Sequence, residues 1–283
     1  TFFRAYSRLK GYDTQVRSGR YTFREGDGWM TLLTSLTEGR VVTMAVTVPE
    51  GWTLRQIADP ISTITGLDPD SIYERIRSRD LHEQWGVPGP GLEGYLFPDT
   101  YRFAEGASLD AVIEAMVERY KAVWTPERRA LLAETGFDER ELVTLASVTQ
   151  AEARVVDEMP LIASVYDNRV RRSWPLEADP TVLYALGGHR DRLLYAAIDS
   201  VADNPYNTYR NPGLPPGPIG APGEAAIDAA LEPASEPYMF FVARPGGRHV
   251  FTRSLREHNR AKVQARREWD ALQRGTVSET PSR

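Results

Sequence analysis

The sequence predicts an α+β fold, in which a small α/β module is followed by a larger domain of mixed helices and strands. Three observations support this class. Segments with helical periodicity are separate from short runs rich in β-branched residues, two of those runs are joined by a Pro-Gly-Gly turn, and no internal repeat is present. The 283 residues are enough for two domains, or for one domain with a substantial appendage.

The N-terminal third of the chain is predicted to hold two small units. In chain order its elements are a helix over Thr1–Lys10, a strand over Tyr21–Phe23, a helix over Trp29–Thr37, a strand over Val41–Val48, and helices over Thr53–Ile64 and Pro69–Arg79. We assign residues 1–40 to an N-terminal partial subdomain and residues 41–90 to the small module. Because Gly86–Gly91 is too rich in glycine and proline for the interior of an element, we interpret it as a linker.

The larger domain is predicted over residues 91–274, with a disordered tail over residues 275–283. Its predicted elements are helices over Leu109–Val123 and Glu127–Glu134, a helix that begins after Asp138, helices over Pro160–Arg172, Thr181–Leu186 and Glu224–Leu231, strands over Tyr238–Ala243 and His249–Thr252, and a last helix from Ser254 to Gln273. Asp138 and Glu141 form a capping box, which marks a helix start. The region Pro175–Pro222 is a long loop crowded with Pro, Gly, Asn and Tyr, and loops of this length are often functional.

Composition excludes several classes of function. The net charge of −5 argues against general nucleic-acid binding, and no apolar run approaches the roughly 20 residues that span a bilayer. Cysteine is absent, so the chain has no thiol nucleophile and no cysteine-type zinc site. The four histidines, His82, His189, His249 and His258, show no metal-ligand spacing, and no phosphate-binding loop is present. The sequence therefore predicts neither a metal nor a cofactor.

One glutamate stands out by its position on a predicted helix. Leu142, Leu145, Ala146 and Thr149 form a stripe on one face, and Glu152 lies at the edge of that stripe near the helix C-terminus. Burial and the helix dipole would both raise the pKa of a carboxyl group there, as a general acid near neutral pH requires. By pattern alone, an ordinary surface glutamate in a last turn is the more common interpretation.

The run Leu142–Glu152 is one of a series of motifs in fixed order along the chain. The others are Val48–Gly51, Gly94–Tyr101, Tyr166–Arg169, Pro175–Tyr184, Pro205–Tyr209, Gly213–Ile219, Tyr238–Ala243 with His249–Phe251, and Glu257–Asn259. In order and spacing this series resembles the endolytic murein transglycosylases, the MltG or YceG-like family, over nearly the whole chain. The small module resembles the LysM-like region of that family, and the larger domain resembles its catalytic domain.

The resemblance implies a peptidoglycan lytic transglycosylase that cleaves the β-1,4 bond between N-acetylmuramic acid and N-acetylglucosamine within glycan strands. Glu152 matches the glutamate to which the family assigns catalysis, first as the acid that protonates the leaving oxygen and then as the base that accepts the C6 hydroxyl proton. The product would carry a 1,6-anhydromuramoyl end, and cleavage is expected to terminate nascent strands. Gln150 departs from the family, which commonly has a glutamate there, so an amide is expected to serve at the substrate instead.

Four side chains of the loop region are predicted to bind substrate. Tyr206 and Tyr209 offer ring faces to sugars, with plain packing as the alternative. Asn207 either hydrogen-bonds an N-acetyl group or stabilises a turn. Asp179 either contacts substrate or caps the short helix that follows it.

Two residues outside the loop region are further candidates for substrate contact. Glu158 either orients the site as a second carboxylate or places negative charge at a helix N-terminus. His249 is predicted to line the groove from the hairpin, whereas Asn168 and Arg169 are interpreted as structural. The residues predicted to shape the cleft wall are Gly213, Pro215, Pro216 and Gly217.

Two other functions stay open: a muramidase-type hydrolase of the same bond, and a non-catalytic peptidoglycan-binding scaffold of a wall-synthesis complex. The expected partner is the peptidoglycan glycan strand, cell-wall synthases are a further candidate, and nucleic acid is not expected. The resemblance implies a single-pass anchor in the cytoplasmic membrane, with the catalytic domain on the periplasmic or extracellular side. Because the chain starts at Thr1 rather than at a methionine, we expect that anchor to precede it.

Overall fold

The computed structural model describes residues 2–12, 14–16, 20–39, 42–188 and 195–277. The helices are α1 (Phe2–Leu9), α2 (Trp29–Glu38), α3 (Leu54–Thr65), α4 (Pro69–Ile76), α5 (Leu81–Trp85), α6 (Leu109–Val123), α7 (Pro126–Thr135), α8 (Glu139–Glu152), α9 (Met159–Arg171), α10 (Asp179–Ala185), α11 (Tyr195–Ser200), α12 (Glu224–Leu231) and α13 (Leu255–Val277). The strands are β1 (Thr43–Thr47), β2 (Thr100–Ala104), β3 (Phe240–Ala243) and β4 (His249–Thr252), and a 3-10 turn spans Val156–Glu158. Helices with two small antiparallel sheets confirm the α+β class.

The predicted strand over Tyr21–Phe23 is wrong. The segment has no regular secondary structure, and it pairs with no strand in the part of the chain that the structure describes. Its two aromatic rings stack on each other instead, with centroids 6.0 Å apart. A run of three residues needs a neighbouring strand to become part of a sheet, so the alternation of aromatic side chains alone does not make a strand.

The small module is closed by a strand that the sequence analysis did not predict. Strand β1 pairs antiparallel with β2, in a register that joins Thr47 to Thr100 and Thr43 to Ala104. Helices α3, α4 and α5 lie between the two strands in the chain. The predicted module boundary at residue 90 cuts this sheet, so the module extends at least to Ala104. Its likeness to a LysM domain stays a prediction.

The segment Gly86–Gly91 is not an exposed linker. Val87 is buried, and the residues that follow, Leu92–Phe97, form a buried connection through the hydrophobic core. Gly94 has φ of 84° and packs so tightly that a Cβ atom there would overlap the ring of Pro218. Glycine and proline in this segment therefore reflect left-handed turns and close packing rather than flexibility.

Helix α8 is the central helix of the larger part. It begins with the predicted capping box, in which Asp138 Oδ1 accepts from the Glu141 N–H at 2.7 Å and Glu141 Oε2 accepts from the Asp138 N–H at 2.9 Å. All residues from 142 to 149 are buried, because α9 and α12 pack against the helix. The prediction of a stripe on one face of the helix is therefore too narrow. The helix is buried on all sides over these residues, as is typical of a helix inside a core.

The C-terminal region forms the predicted hairpin and helix. Strands β3 and β4 pair antiparallel, and α13 follows with reciprocal hydrogen bonds between Ser254 and Glu257. Arg169 and Asn168 hold the start of the hairpin by donating to the backbone oxygens of Met239 and Tyr238, which confirms their structural interpretation.

The last helix is longer than predicted. Helix α13 continues to Val277, so the predicted disordered tail begins inside a helix, and residues 278–283 lie outside the described residues. Across the described ranges, no helix combines the length and the apolar composition that crossing a bilayer demands.

Candidate active site

Glu152 is the last residue of the buried helix α8. Its side chain is half-buried, and the chain leaves the helix at Ala153 in an extended conformation. The hydroxyl of Tyr166, on the neighbouring helix α9, donates to Glu152 Oε1 at 3.0 Å. The rigid packing of α8 and this bond fix the carboxyl group in one orientation.

The environment of Glu152 raises the pKa of its carboxyl group into the neutral range. Burial is the largest influence and raises the pKa of Glu152 to about 7. The hydrogen bond from Tyr166 stabilises the carboxylate and partly opposes that rise, whereas the negative charge of Asp179 adds to it. Burial is thus one of the two influences that the sequence pattern predicted for this carboxyl group, whereas the effect of the helix dipole stays a prediction.

Asp179 supplies a second carboxylate beside Glu152. It is exposed at the start of α10, which packs against α8, and its Oδ1 accepts from the Tyr209 hydroxyl at 2.5 Å. Burial and then this bond raise the pKa of Tyr209, so the phenol stays a donor. The alternative of a helix cap is wrong, because Asp179 is the first residue of the helix and makes no capping bond. Glu152, Tyr166, Asp179 and Tyr209 thus form one cluster, which we call the carboxylate cluster.

Asn207 does not reach the surface, and the predicted substrate contact is therefore corrected. Its side chain is fully buried. The amide nitrogen donates to the backbone oxygens of Ile198 at 2.9 Å and Val201 at 3.1 Å, and the amide oxygen accepts from the Tyr209 N–H at 3.1 Å. With both groups engaged inside the loop, Asn207 has none left for a sugar. It holds Tyr209 in place instead.

Tyr206 lies in a different group of side chains from Tyr209. Its ring packs against that of Tyr184, with centroids 4.9 Å apart, and the Tyr184 hydroxyl donates to Glu93 Oε2 at 3.1 Å. A Cβ atom at Gly217 would lie 3.3 Å from the Tyr206 hydroxyl, so Gly217 packs directly on that tyrosine. The structure thus supports packing for Tyr206, and its contact with substrate stays a prediction.

The predicted cleft wall lies along α8. Ser147 Oγ accepts from the Ile219 N–H at 3.1 Å, and Gln150 Oε1 accepts from the Gly223 N–H at 3.1 Å. Within the wall, Gly213 has φ of 87°, Pro215 and Gly217 are buried, and Pro216 is half-buried. Gln150 therefore anchors the segment that follows the wall.

Glu158 and His249, the first residue of β4, form a buried pair. Glu158 is 5% exposed, and its carboxylate accepts from the His249 N–H at 3.1 Å and lies 2.9 Å from His249 Nδ1. The His249 side chain is only 4% exposed and meets the ring of Phe241 edge-on. Both predictions of substrate contact are corrected. The two side chains are buried and hydrogen-bonded to each other, so neither faces an open groove.

The sequence pattern did not single out two residues, Tyr166 within the carboxylate cluster and Glu93 outside it. Tyr166 belongs to the motif Tyr166–Arg169, yet only the packing of α9 against α8 brings its hydroxyl to Glu152. Glu93 is a buried carboxyl in the apolar run Leu92–Phe97, and that placement of a charge was a signal available in the sequence. In the described ranges, no group of three or more His, Asp or Glu side chains is arranged to hold a metal, and His189 lies outside them.

Comparison with known proteins gives a consistent result. The model of the YceG-like family matches residues 1–264. A protein of Bacillus subtilis (strain 168) named endolytic murein transglycosylase is 35% identical, over 92% of this chain and 76% of its own length. A protein of Streptococcus pneumoniae serotype 2 (strain D39 / NCTC 7466) with the same name is 29% identical over 91% of this chain, which spans 52% of that protein.

A solved structure agrees with these sequence relationships. The crystal structure of a yceG-like protein from Listeria monocytogenes superposes with a TM-score of 0.70 at 31% identity. The match covers 92% of this chain and 89% of that one.

Proposed function

The chain belongs to the YceG-like family, and on that premise we propose that it cleaves peptidoglycan glycan strands as a lytic transglycosylase. It acts as a lyase on the β-1,4 bond between N-acetylmuramic acid and N-acetylglucosamine. The names of the relatives support the peptidoglycan substrate and the transglycosylase class. The 1,6-anhydro product and the termination of nascent strands are the finer parts of the proposal.

The observation that carries the proposal is the environment of Glu152. A half-buried carboxyl group whose pKa is about 7 can give and take a proton in one catalytic cycle at neutral pH. Tyr166 fixes its orientation through a 3.0 Å hydrogen bond. A single acid that serves twice fits a lytic reaction, whereas most glycoside hydrolases use two carboxyl groups that flank the bond.

In the proposed reaction, Glu152 donates its proton to the bridging oxygen as the bond from that oxygen to muramoyl C1 breaks. The C6 hydroxyl of the same muramoyl unit then forms a bond to C1 and gives its proton to the Glu152 carboxylate. The acid is thereby regenerated and no water is consumed. The negative charge of Asp179 favours the proton on Glu152 and the positive charge that develops at C1.

The test is digestion of purified glycan strands followed by mass spectrometry of the new ends. The proposal expects 1,6-anhydromuramoyl ends from the parent, and a loss of about a thousandfold in Glu152→Gln, since an amide cannot donate the proton. Glu134→Gln, on the exposed face of α7, is the matched control and keeps full activity.

Other outcomes decide between the remaining functions. Reducing ends identify a hydrolase. Strand binding without any cleavage identifies a scaffold, and unchanged cleavage by Glu152→Gln removes Glu152 from the mechanism.

We also propose that the full-length protein is anchored in the cytoplasmic membrane, with this part on the outer side, where it meets cell-wall synthases. The family resemblance supports both points, because the substrate lies outside that membrane. Cell fractionation with protease protection tests the location. In-cell crosslinking followed by detection of the synthases tests the partnership, and a protease-resistant protein in intact spheroplasts would contradict the location.

A further inference from the structure

Glu93 is a buried carboxyl group outside the carboxylate cluster. It is 8% exposed. Its Oε1 accepts from the backbone N–H of Leu54 at 3.1 Å, and its Oε2 accepts from the Tyr184 hydroxyl at 3.1 Å. One side chain therefore joins the first residue of α3, in the small module, to the far end of α10.

Helix α10 extends from this contact to the carboxylate cluster. Asp179 is its first residue and Tyr184 lies five positions later, about 7.5 Å along the helix axis. At the near end Tyr209 holds Asp179, whose charge acts on Glu152. A helix of one and a half turns moves as a rigid unit. A contact that holds Tyr184 in place therefore also limits the movement of Asp179.

The surroundings of Glu93 argue against a role in stability alone. No basic side chain among the described residues contacts its carboxyl group, and burial raises its pKa to about 8, opposed by the bonds from Leu54 and Tyr184. The other titratable group beside it is Tyr206, which also senses Arg79. A carboxyl group buried without a cation generally opposes folding, so its two precise donors suggest another use.

We propose that Glu93 is a positioning residue that fixes α10, and with it the Asp179 carboxylate, against Glu152. The small module, through the start of α3, thereby sets the geometry of the carboxylate cluster. The inference rests on the proposed function for what that cluster does, while the positioning itself is independent of the reaction.

The test measures Glu152 directly and the reaction separately. Carbon-13 NMR follows the Glu152 carboxyl from about pH 5 to about pH 9 in the parent, in Glu93→Gln and in Tyr184→Phe. If α10 loosens and Asp179 moves away, the Glu152 pKa falls by about half a unit in both variants. The alkaline limb of kcat/KM for glycan cleavage moves down by the same amount, and kcat falls about fivefold while KM changes less.

A matched control exists in the same protein. Glu139 also accepts from a buried tyrosine, Tyr120, at 2.6 Å, but it lies thirteen residues before Glu152, about 20 Å away along α8. Glu139→Gln is expected to leave the Glu152 titration unchanged.

Each remaining outcome decides one question. If Glu93→Gln lowers the melting temperature but leaves the Glu152 titration in place, Glu93 is merely structural and the inference is overturned. If the titration moves as expected while the parent cleaves no glycan, the positioning role stands and the proposed function fails.

Discussion

Two acidic side chains of the carboxylate cluster differ in their surroundings. Glu152 is half-buried and bonded by Tyr166, and its pKa is raised to about 7. Asp179 is exposed to solvent and bonded by Tyr209. Different surroundings are how neighbouring carboxyl groups in one site come to differ in chemical behaviour.

Replacement of Tyr166 by phenylalanine tests this difference. The Tyr166 hydroxyl favours the carboxylate form, so its loss raises the Glu152 pKa above about 7. Cleavage that needs protonated Glu152 declines as the pH rises through that pKa. In Tyr166→Phe the alkaline limb of the kcat/KM profile therefore moves to higher pH, by about half a unit to one unit. The optimum rate falls about tenfold, because the carboxyl group loses its orienting partner.

The control for this variant is Tyr120→Phe, which removes a similar bond to Glu139 at the other end of α8. This variant should leave the alkaline limb of the kcat/KM profile at the same pH as in the parent. A limb that moved to lower pH in Tyr166→Phe would mean that the hydroxyl favours the protonated acid, contrary to the structure.

At the scale of elements, the local signals of the sequence were reliable where the structure depends on near neighbours. The predicted capping box at Asp138 marks a helix start, because its bonds join residues three apart. Strand β2 was missed because its partner is distant: Thr47 bonds Thr100 across 53 positions. Local pattern carries no information on such pairs.

The contact between the module turn and the wall segment offers a test at this scale. Gly51 donates to the Ala221 oxygen at 2.7 Å, and Ala221 donates to the Trp52 oxygen at 2.8 Å. A Cβ atom at Gly220 would lie 2.7 Å from the Gly51 oxygen, which is backbone and cannot rotate away. We expect Gly220→Ala to lower the free energy of unfolding by about 1–3 kcal/mol, measured by urea titration.

Gly223→Ala is the matched control. The Cβ atom there would meet the flexible end of Glu50, which can swing aside, so the loss should be smaller than in Gly220→Ala. Equal losses in the two variants would show that the backbone contact at Gly51 is not what restricts Gly220.

At the scale of the whole molecule, one hydrophobic core crosses the predicted domain boundary. Residues of the module, such as Ile57 and Ile61, share it with Tyr95 and with Leu145 of α8. The division at residue 90 therefore separates sequence motifs rather than independently packed units. Because the core is shared, Glu93 can contact both the small module and α10, and we propose that it fixes the position of Asp179 in this way.

A pair of truncations tests whether the core is shared in solution. A chain that starts at Glu105 loses the core side chains of the module, so we expect it to unfold without a cooperative transition in circular dichroism. A chain that starts at Val42 keeps them and should melt cooperatively. A cooperative melt of the shorter chain would show that the larger domain folds alone.

The sequence predicted the carboxylate cluster only in part. Motif order identified Glu152, Asp179 and Tyr209, because the family resemblance fixes residues by position. It did not distinguish Tyr209 from Asn207, two residues earlier, since both lie in one motif. Which of them reaches the site depends on how the loop folds. The fully buried amide of Asn207 holds the loop together by donating to the backbone oxygen of Ile198.

The pairing of β1 with β2 also bears on the order in which the chain acquires structure. Contacts between residues far apart in sequence raise the contact order and slow folding, because a long loop must close before they form. Strand β1 must wait until Ala104 has been synthesised before its sheet can form. During synthesis, therefore, β1 emerges before its partner strand, and the sheet of the module can form only after β2 has followed.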